Sequence, residues 1–400
     1  MAQSANSNYP SPHPRLLVIT NLFPNAAEPN RGTFNAQQFA ALAEYCALEV
    51  IAPVAWRSTA DRTLTAAQRV GRHPTPYGDI LVHHPTYYYI PRFLRAAYAR
   101  LFHASILPTV QARWQERPFD LILGTWLYPD CVAAARIARR FGVPFLARTH
   151  GTDVFAHAPH RLRRRQMRRA ARQARRVFCV SSELAAAVRR FAGADVRTEV
   201  LLNGVDLERF HPRARETARR ELGLPVGERV ILFVGHLRPV KGLRYLIEAL
   251  SRAGLPGAWR LHILGTGELR DQVAAWAAAD GIASRLNLAG EVPHAQVPTW
   301  MNAADLLVLP SLSEGCPNVV LESLACGTPV VASRVGAVPD IFAPECGILV
   351  PPADSVALAA ALREAIGRTW ERETIRRRVA GFSWRANAQR LYAAIQEALP

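Results

Sequence analysis

Two spacings of apolar residues alternate along the chain. Short continuous apolar runs predict buried strands, and stretches in which apolar residues return every three or four positions predict helices. RLLVIT (15–20) reads as a strand, followed by the loop NLFPNAAEPNRG, a helix over 33–45 and a second strand, LEVIAP (48–53). FDLILG (119–124), PFLART (144–149), VFCVS (177–181) and TEVLLNGVD (198–206) continue the series. Helices are predicted at 130–141, through the arginine-rich segment, and at 183–191, where Ser181 or Ser182 can cap. After a helix-like connector, PRARETARREL, the pattern restarts at RVILFVG (229–235). RLHILG (260–265), LNLAG (286–290), DLLVLPS (305–311), PVVAS (329–333) and GILVPP (347–352) follow, with helices between. Strand–helix alternation predicts parallel sheets covered on both faces, hence an α/β protein of two doubly wound domains with a boundary near 205–225. Ligands of such sheets bind beyond the carboxyl ends of the strands. The residues to examine are therefore the unusual ones just after each strand.

Charge divides the chain unevenly. Residues 1–200 hold 27 arginines against 12 acidic residues, net +15, whereas residues 201–400 hold 22 basic and 20 acidic residues, net +2. Only the first half is expected to face an anionic partner. RLRRRQMRRAARQARR (161–176) carries nine arginines, with Leu162, Met167, Ala170, Ala171 and Ala174 as a thin apolar side. It reads either as an exposed helix or as a contact with anionic lipid, worth about 1 kcal/mol per basic residue near the surface. YYYIPRFLRAAYARLF (87–102) is either an amphipathic membrane- or acceptor-contacting element or a packed helix and loop. No run approaches the roughly 18 apolar residues of a membrane span. The polar start, about 14 residues, lacks the apolar core of a secretory signal and reads as a disordered tail. The six cysteines form no C-x-x-C pair or Cys/His cluster, which fits a reducing cytoplasm and no structural metal. No zinc-finger, RNA-recognition or helix-turn-helix signature appears, so nucleic acid is not the expected partner despite the sequence pI of 10.5.

Chemistry gathers at the strand ends. Lys241 is the only lysine among 49 basic residues, and it lies six residues past Gly235, after the strand RVILFVG. With Arg238 it projects near a helix start, where free N–H groups favour anions. A compact ammonium reaches between phosphate oxygens as a point charge, whereas a planar guanidinium demands bidentate geometry. In SLSEGCPNVVLESLACGTPVV (311–331), Glu314 sits in the loop after DLLVLPS, and Gly315, Cys316, Pro317, Asn318 and Val319 lead into a helix over 318–326. Glu322, one turn in, can accept from a ribose diol. THGTDV (149–154) places His150 and Asp153 after PFLART, with His150 able to bond a sugar hydroxyl and Asp153 to orient it or cap the next helix. Gly32, in RGTF (31–34), begins the first helix and marks either a phosphate contact or a plain turn.

These segments, with LGTGEL (264–269) and NGVD (203–206), resemble over nearly the whole chain the retaining nucleotide-sugar glycosyltransferases of glycosyltransferase family four. The resemblance implies the GT-B fold, two Rossmann-like domains facing a central cleft. The tail of residues 1–14 would precede an acceptor domain over 15–205 and a donor domain over 206–382, and the helix of 383–400 would cross back to the first domain. It implies Lys241, with Arg238 and Gly32, on the donor diphosphate; Glu322 on the ribose; Gly290, Glu291 and Val292 near the base; and Glu314 with Gly315 to Val319 on the donor sugar. Glu314, His150 and Lys241 are the candidate catalytic residues, and Asp153, Asn203 and His236 are further candidates. The family's arginine directly after the loop glycine is His236 here, for which Arg238 is the candidate substitute. The donor would be a UDP- or GDP-sugar and the acceptor a saccharide or lipid-linked saccharide. With no Asp-x-Asp signature, no metal or other cofactor is expected. A GT-B nucleotide-sugar epimerase and a basic nucleic-acid-binding protein are the competing readings.

Overall fold

The computed structural model describes residues 13–90 and 95–399. They divide into two compact units. One runs to Asn203 and takes in the stretch from Trp384 onward; the other spans Gly204–Ser383. The boundaries read from sequence, 205/206 and 383, shift because Val205 bridges Ser383 and its N–H bonds the Phe382 carbonyl, which ties both ends to the second unit.

The first unit is built on an eight-stranded sheet. Its strands are β1 (Arg15–Ile19), β2 (Ala47–Ile51), β4 (Val70–His73), β5 (Ile80–His83), β7 (Leu121–Thr125), β8 (Phe145–Thr149), β9 (Val177–Cys179) and β10 (Thr198–Val200). Their order is β10-β9-β8-β7-β1-β2-β5-β4, and β4 alone pairs antiparallel. A small parallel pair, β3 (Val54–Ala55) with β6 (Thr86–Tyr87), stands apart. Helices cover the sheet, so its central strands are apolar without alternation: Leu16, Leu17, Val18 and Ile19 are fully buried. Burying each of these side chains contributes about 1.5–3 kcal/mol. The helix Trp384–Ala398 lays Leu391 and Ile395 into the same core as Phe39 and Leu42 of the helix Thr33–Leu42. A buried Gln38–Asn387 side-chain hydrogen bond of 2.7 Å fixes their register.

The second unit has six parallel strands: β11 (Arg229–Val234), β12 (Trp259–Leu264), β13 (Leu286–Gly290), β14 (Leu306–Leu309), β15 (Val330–Ser333) and β16 (Gly347–Val350). Their order is β13-β12-β11-β14-β15-β16. In both sheets the winding reverses once, between β1 and β7 and between β11 and β14. Those are the points where open sheets of this kind leave a crevice for ligands. Among the described residues no helix is long and apolar enough to cross a membrane.

Two expectations are corrected and one alternative is decided. Of the two readings of 87–102, the described residues take the packed one. Tyr87 ends β6, a new helix begins at Tyr98, and Tyr87, Tyr98 and Phe102 pack ring against ring; residues 91–94 lie outside the described residues. His13 and Pro14, expected in the tail, are instead tied to the first unit: His13 Nδ1 lies 2.8 Å from the Tyr45 carbonyl and the Pro14 carbonyl accepts from Ala47; residues 1–12 lie outside the described residues. The arginine-rich helix, Arg161–Gln173, buries Arg163, Met167, Ala170 and Ala171 and turns Leu162 outward. Arg163 goes inward because it has partners there: His157 Nδ1 at 3.0 Å and the Tyr128 ring.

Candidate active site

In the second unit the site is assembled at the reversal between β11 and β14. The chain leaves β11 through Gly235, makes a single 3-10 turn over Pro239–Lys241, and enters the helix Leu243–Arg252. The expected helix start at Lys241 therefore moves to Leu243, because Pro239 and the left-handed Gly242 complete a separate turn first. Lys241 Nζ donates to Glu314 Oε1 at 2.6 Å, and Ser311 Oγ donates to the same oxygen at 2.6 Å. The two side chains are 22% and 10% exposed, so the ammonium is held yet still reachable. Residues 73 apart in sequence meet because β11 and β14 are neighbours. The strand-end loops are also stitched together by the Leu312 N–H on the Val240 carbonyl. Gly242 makes that approach possible: it has φ 68°, and a Cβ there would lie 2.0 Å from the Pro310 carbonyl oxygen. Gly242→Ala is expected to destabilise the unit by about 1–3 kcal/mol. A thermal melt matching the parent would contradict this.

Glu322 lies in the helix Asn318–Ala325 that Gly315, Cys316 and Pro317 introduce, and its Oε1 faces His294 Nε2 at 3.4 Å. His294 is positioned by Arg209, 3.0 Å from its Nδ1, and by the Phe210 ring. Gly315 is pinned through its carbonyl by the Ala337 N–H, and Gly290 through its carbonyl by the Gly265 N–H. Glu291 and Val292 follow Gly290 in the loop after β13. His236 and Arg238 are exposed, and Arg238 has no side-chain partner among the described residues. Both groups are available for a ligand.

In the first unit, two buried carboxylates join three strand ends. Asp153 accepts from the N–H groups of His150 (3.1 Å), Gly151 (2.8 Å) and Leu127 (2.5 Å), tying the loop after β8 to that after β7. It thus holds the backbone at His150 rather than the imidazole. Asp130 accepts from the Asn21 N–H at 2.7 Å, tying the loop after β7 to that after β1. Burial lifts the Asp153 carboxyl to about 6, against those backbone hydrogen bonds. Burial pushes Asp130 well above the usual carboxylate range, the Asn21 N–H opposes it, and the Asp153 charge adds to the push. His150 sits between Trp126 (5.7 Å between ring centroids) and Phe34 (5.0 Å). Burial and then the Arg148 charge hold its pKa well below the ordinary value, so the ring is neutral near pH 7. His150 Nε2 and Trp126 Nε1 are both buried without a hydrogen-bond partner among the described residues. Unpaired buried polar atoms cost about 1–3 kcal/mol each, which a ligand hydroxyl would offset. Trp126 adopts φ 72°, a left-handed conformation that costs a bulky residue roughly 1–3 kcal/mol.

Gly32 precedes the helix Thr33–Leu42 with φ 63°, packed so that a Cβ would meet the Leu22 carbonyl at 2.6 Å. Asn203 is buried and accepts from the Arg148 guanidinium at 2.9 Å, a bracing contact inside the first unit. Trp126 and Asp130 were not singled out from sequence. The signal available was their position directly after the strand FDLILG.

Comparison with known proteins bears on the family and the fold. Residues 53–209 match the family model described as Glycosyltransferase Family 4, and residues 228–368 match the one described as Glycosyl transferases group 1. A Bacillus subtilis (strain 168) glycosyltransferase assigned to teichuronic acid biosynthesis, TuaC, is 31% identical over 87% of this chain and 88% of its own. A D-inositol 3-phosphate glycosyltransferase of Geodermatophilus obscurus is 39% identical over 50% of this chain, which spans about half (48%) of that protein. Among solved structures, sucrose-phosphate synthase from Thermosynechococcus elongatus aligns with a TM-score of 0.80 at 22% identity, over 96% of this chain and 99% of that one. Anabaena Alr3699/HepE, in complex with UDP and glucose, aligns with a TM-score of 0.72 at 21% identity, over 96% and 100%. A doubly wound sheet in each unit, the GT-B neighbours and the match along nearly all of a relative identify the chain as a glycosyltransferase that belongs to glycosyltransferase family 4.

Proposed function

We propose that this enzyme is a retaining transferase that moves a sugar from a nucleoside diphosphosugar to a saccharide or lipid-linked acceptor during assembly of a cell-surface polysaccharide or lipopolysaccharide. The observation that carries the reading is the ammonium of Lys241, held on Glu314 at the β11/β14 reversal. A held cation beside a strand-end crevice is pre-organised to offset charge on a leaving diphosphate. In this reading Lys241 and Arg238 face the diphosphate, with Gly32 as a contact from the first unit. Glu322 binds the ribose, and Gly290, Glu291 and Val292 meet the base. Glu314 and the segment Gly315, Cys316, Pro317, Asn318 and Val319 hold the sugar. His150 meets a sugar hydroxyl through Nε2, supported by Asp153. The bond from the anomeric carbon to the diphosphate oxygen breaks, and a bond to the acceptor oxygen forms on the same face. The acceptor proton passes to the departing diphosphate.

TuaC supports a cell-surface polysaccharide, and the UDP-bound neighbour puts uridine first among the bases, with guanosine as the alternative. The reaction is placed in the cytoplasm, with peripheral attachment to the inner face of the membrane through the exposed arginines between Arg161 and Arg176. A thermal-shift panel of UDP-, GDP- and ADP-sugars tests the reading. One of them is expected to raise the melting point by several degrees in EDTA, and retention of the anomeric configuration is expected by NMR of the product. No shift with any member, or an isomerised sugar formed from donor alone, would overturn the transferase assignment.

A further inference from the structure

The arginines of the helix Arg161–Gln173 are not treated alike by their surroundings. Near its end Arg172 pairs with Asp195, and just beyond it Arg176 pairs with Glu199 and Glu397. Arg169, in the same helix, faces the helix Val132–Phe141 across a small cavity of about 130 Å³ that it lines with Arg136 and Arg139. Two glutamines also line it, and each amide nitrogen already donates to a backbone carbonyl: Gln166 to Ala96 and Gln173 to Ala135. No carboxylate lines this seam, and none bonds Arg136, Arg139 or Arg169 among the described residues. Burial, and then the charges of Arg100, Arg139 and Arg169, pull the Arg136 pKa below its ordinary value. Clustered guanidiniums without a counter-charge repel one another, and the space between them is the natural seat of an anion. The cavity is far smaller than the roughly 300–1,000 Å³ that drug-sized ligands occupy, but it has room for one tetrahedral oxyanion. Guanidinium forks match phosphate oxygens in geometry as well as charge.

We propose that the seam between the helices Val132–Phe141 and Arg161–Gln173 binds a phosphate group through Arg136, Arg139 and Arg169. The group comes either as free phosphate or as the headgroup phosphate of an anionic lipid. Only the lipid source builds on the membrane reading above; the free-anion source is independent of it.

Two double variants test the proposal. Arg139→Gln/Arg169→Gln empties the seam of two charges. Arg164→Gln/Arg165→Gln removes two exposed charges from the same helix and leaves the seam intact. Thermal melts compare sodium phosphate with sodium chloride at equal ionic strength. Flotation compares phosphatidylglycerol with phosphatidylcholine vesicles. For free phosphate, the parent and the Arg164/Arg165 variant gain about 2–4 °C in phosphate and the seam variant gains none. For lipid, the seam variant loses at least tenfold in phosphatidylglycerol binding and the Arg164/Arg165 variant loses much less. Equal responses of both variants in both assays would overturn the phosphate site. Equal losses on vesicles would in addition show that net charge alone drives membrane attachment, leaving that reading intact.

Discussion

Lys241→Arg is expected to lower kcat by about two to three orders of magnitude, the effect of removing one pre-organised electrostatic group, while the melting point stays near that of the parent. The two cations carry the same charge, so a site that needed only a charge would tolerate the change. Here the ammonium is fixed by one carboxylate oxygen that also accepts from Ser311, on a turn pressed against the Pro310 carbonyl through Gly242. A guanidinium is longer and planar, and it seeks two oxygens in one plane. It would take both oxygens of Glu314 as a bidentate pair and turn away from the crevice. The chain uses arginine at the other 48 basic positions, which makes this lysine a choice of shape rather than of charge. Turnover within a few-fold of the parent would defeat the argument. A loss of folding would be visible in the melt and is not expected, because Lys241 contributes nothing to the apolar core.

His150→Phe is expected to retain the fold and lose about a hundredfold in kcat. Phenylalanine keeps an apolar ring between Trp126 and Phe34 and relieves the burial of an unpaired nitrogen, so stability is unchanged or higher. What disappears is Nε2, the atom assigned to a sugar hydroxyl. His150→Ala would lose activity as well, but it also opens a cavity, so it cannot separate packing from chemistry. Parental activity in the phenylalanine variant would show that His150 is a packing residue.

The central strands were legible in the sequence for a physical reason. Parallel strands covered on both faces need continuous apolar runs, and RLLVIT, RVILFVG and DLLVLPS are such runs. The edge was not legible. Val70–His73 alternates between exposed and partly covered positions without one apolar side, and β3 and β6 are two residues each. Pro108 lies inside the continuous helix Tyr98–Glu116, whose beginning was instead read together with the strand before it. On the arginine-rich helix, the assumption that leucine turns inward and arginine outward put Leu162 and Arg163 on the wrong sides, because His157 and the Tyr128 ring receive Arg163. At the candidate site, residue identities were legible but not their contacts. Glu314, Glu322, Lys241 and His150 stand out by following strands, whereas the Lys241–Glu314 pair depends on strand order. Asp130 gave no motif, and its importance is visible only once β1 and β7 lie side by side.

The helix Trp384–Ala398 belongs to the core of the first unit, although the whole second unit precedes it in the chain. During synthesis the first sheet therefore leaves the ribosome with the seat of Leu391 and Ile395 uncovered, and it waits through about 180 further residues for its own closing piece. At roughly 5–20 residues per second that is an interval of about 9–36 seconds. Completion of the first unit therefore waits on the last residues of the chain to be made. A released chain ending at Ser383 is expected to be protease-resistant in the second unit and cleavable in the first.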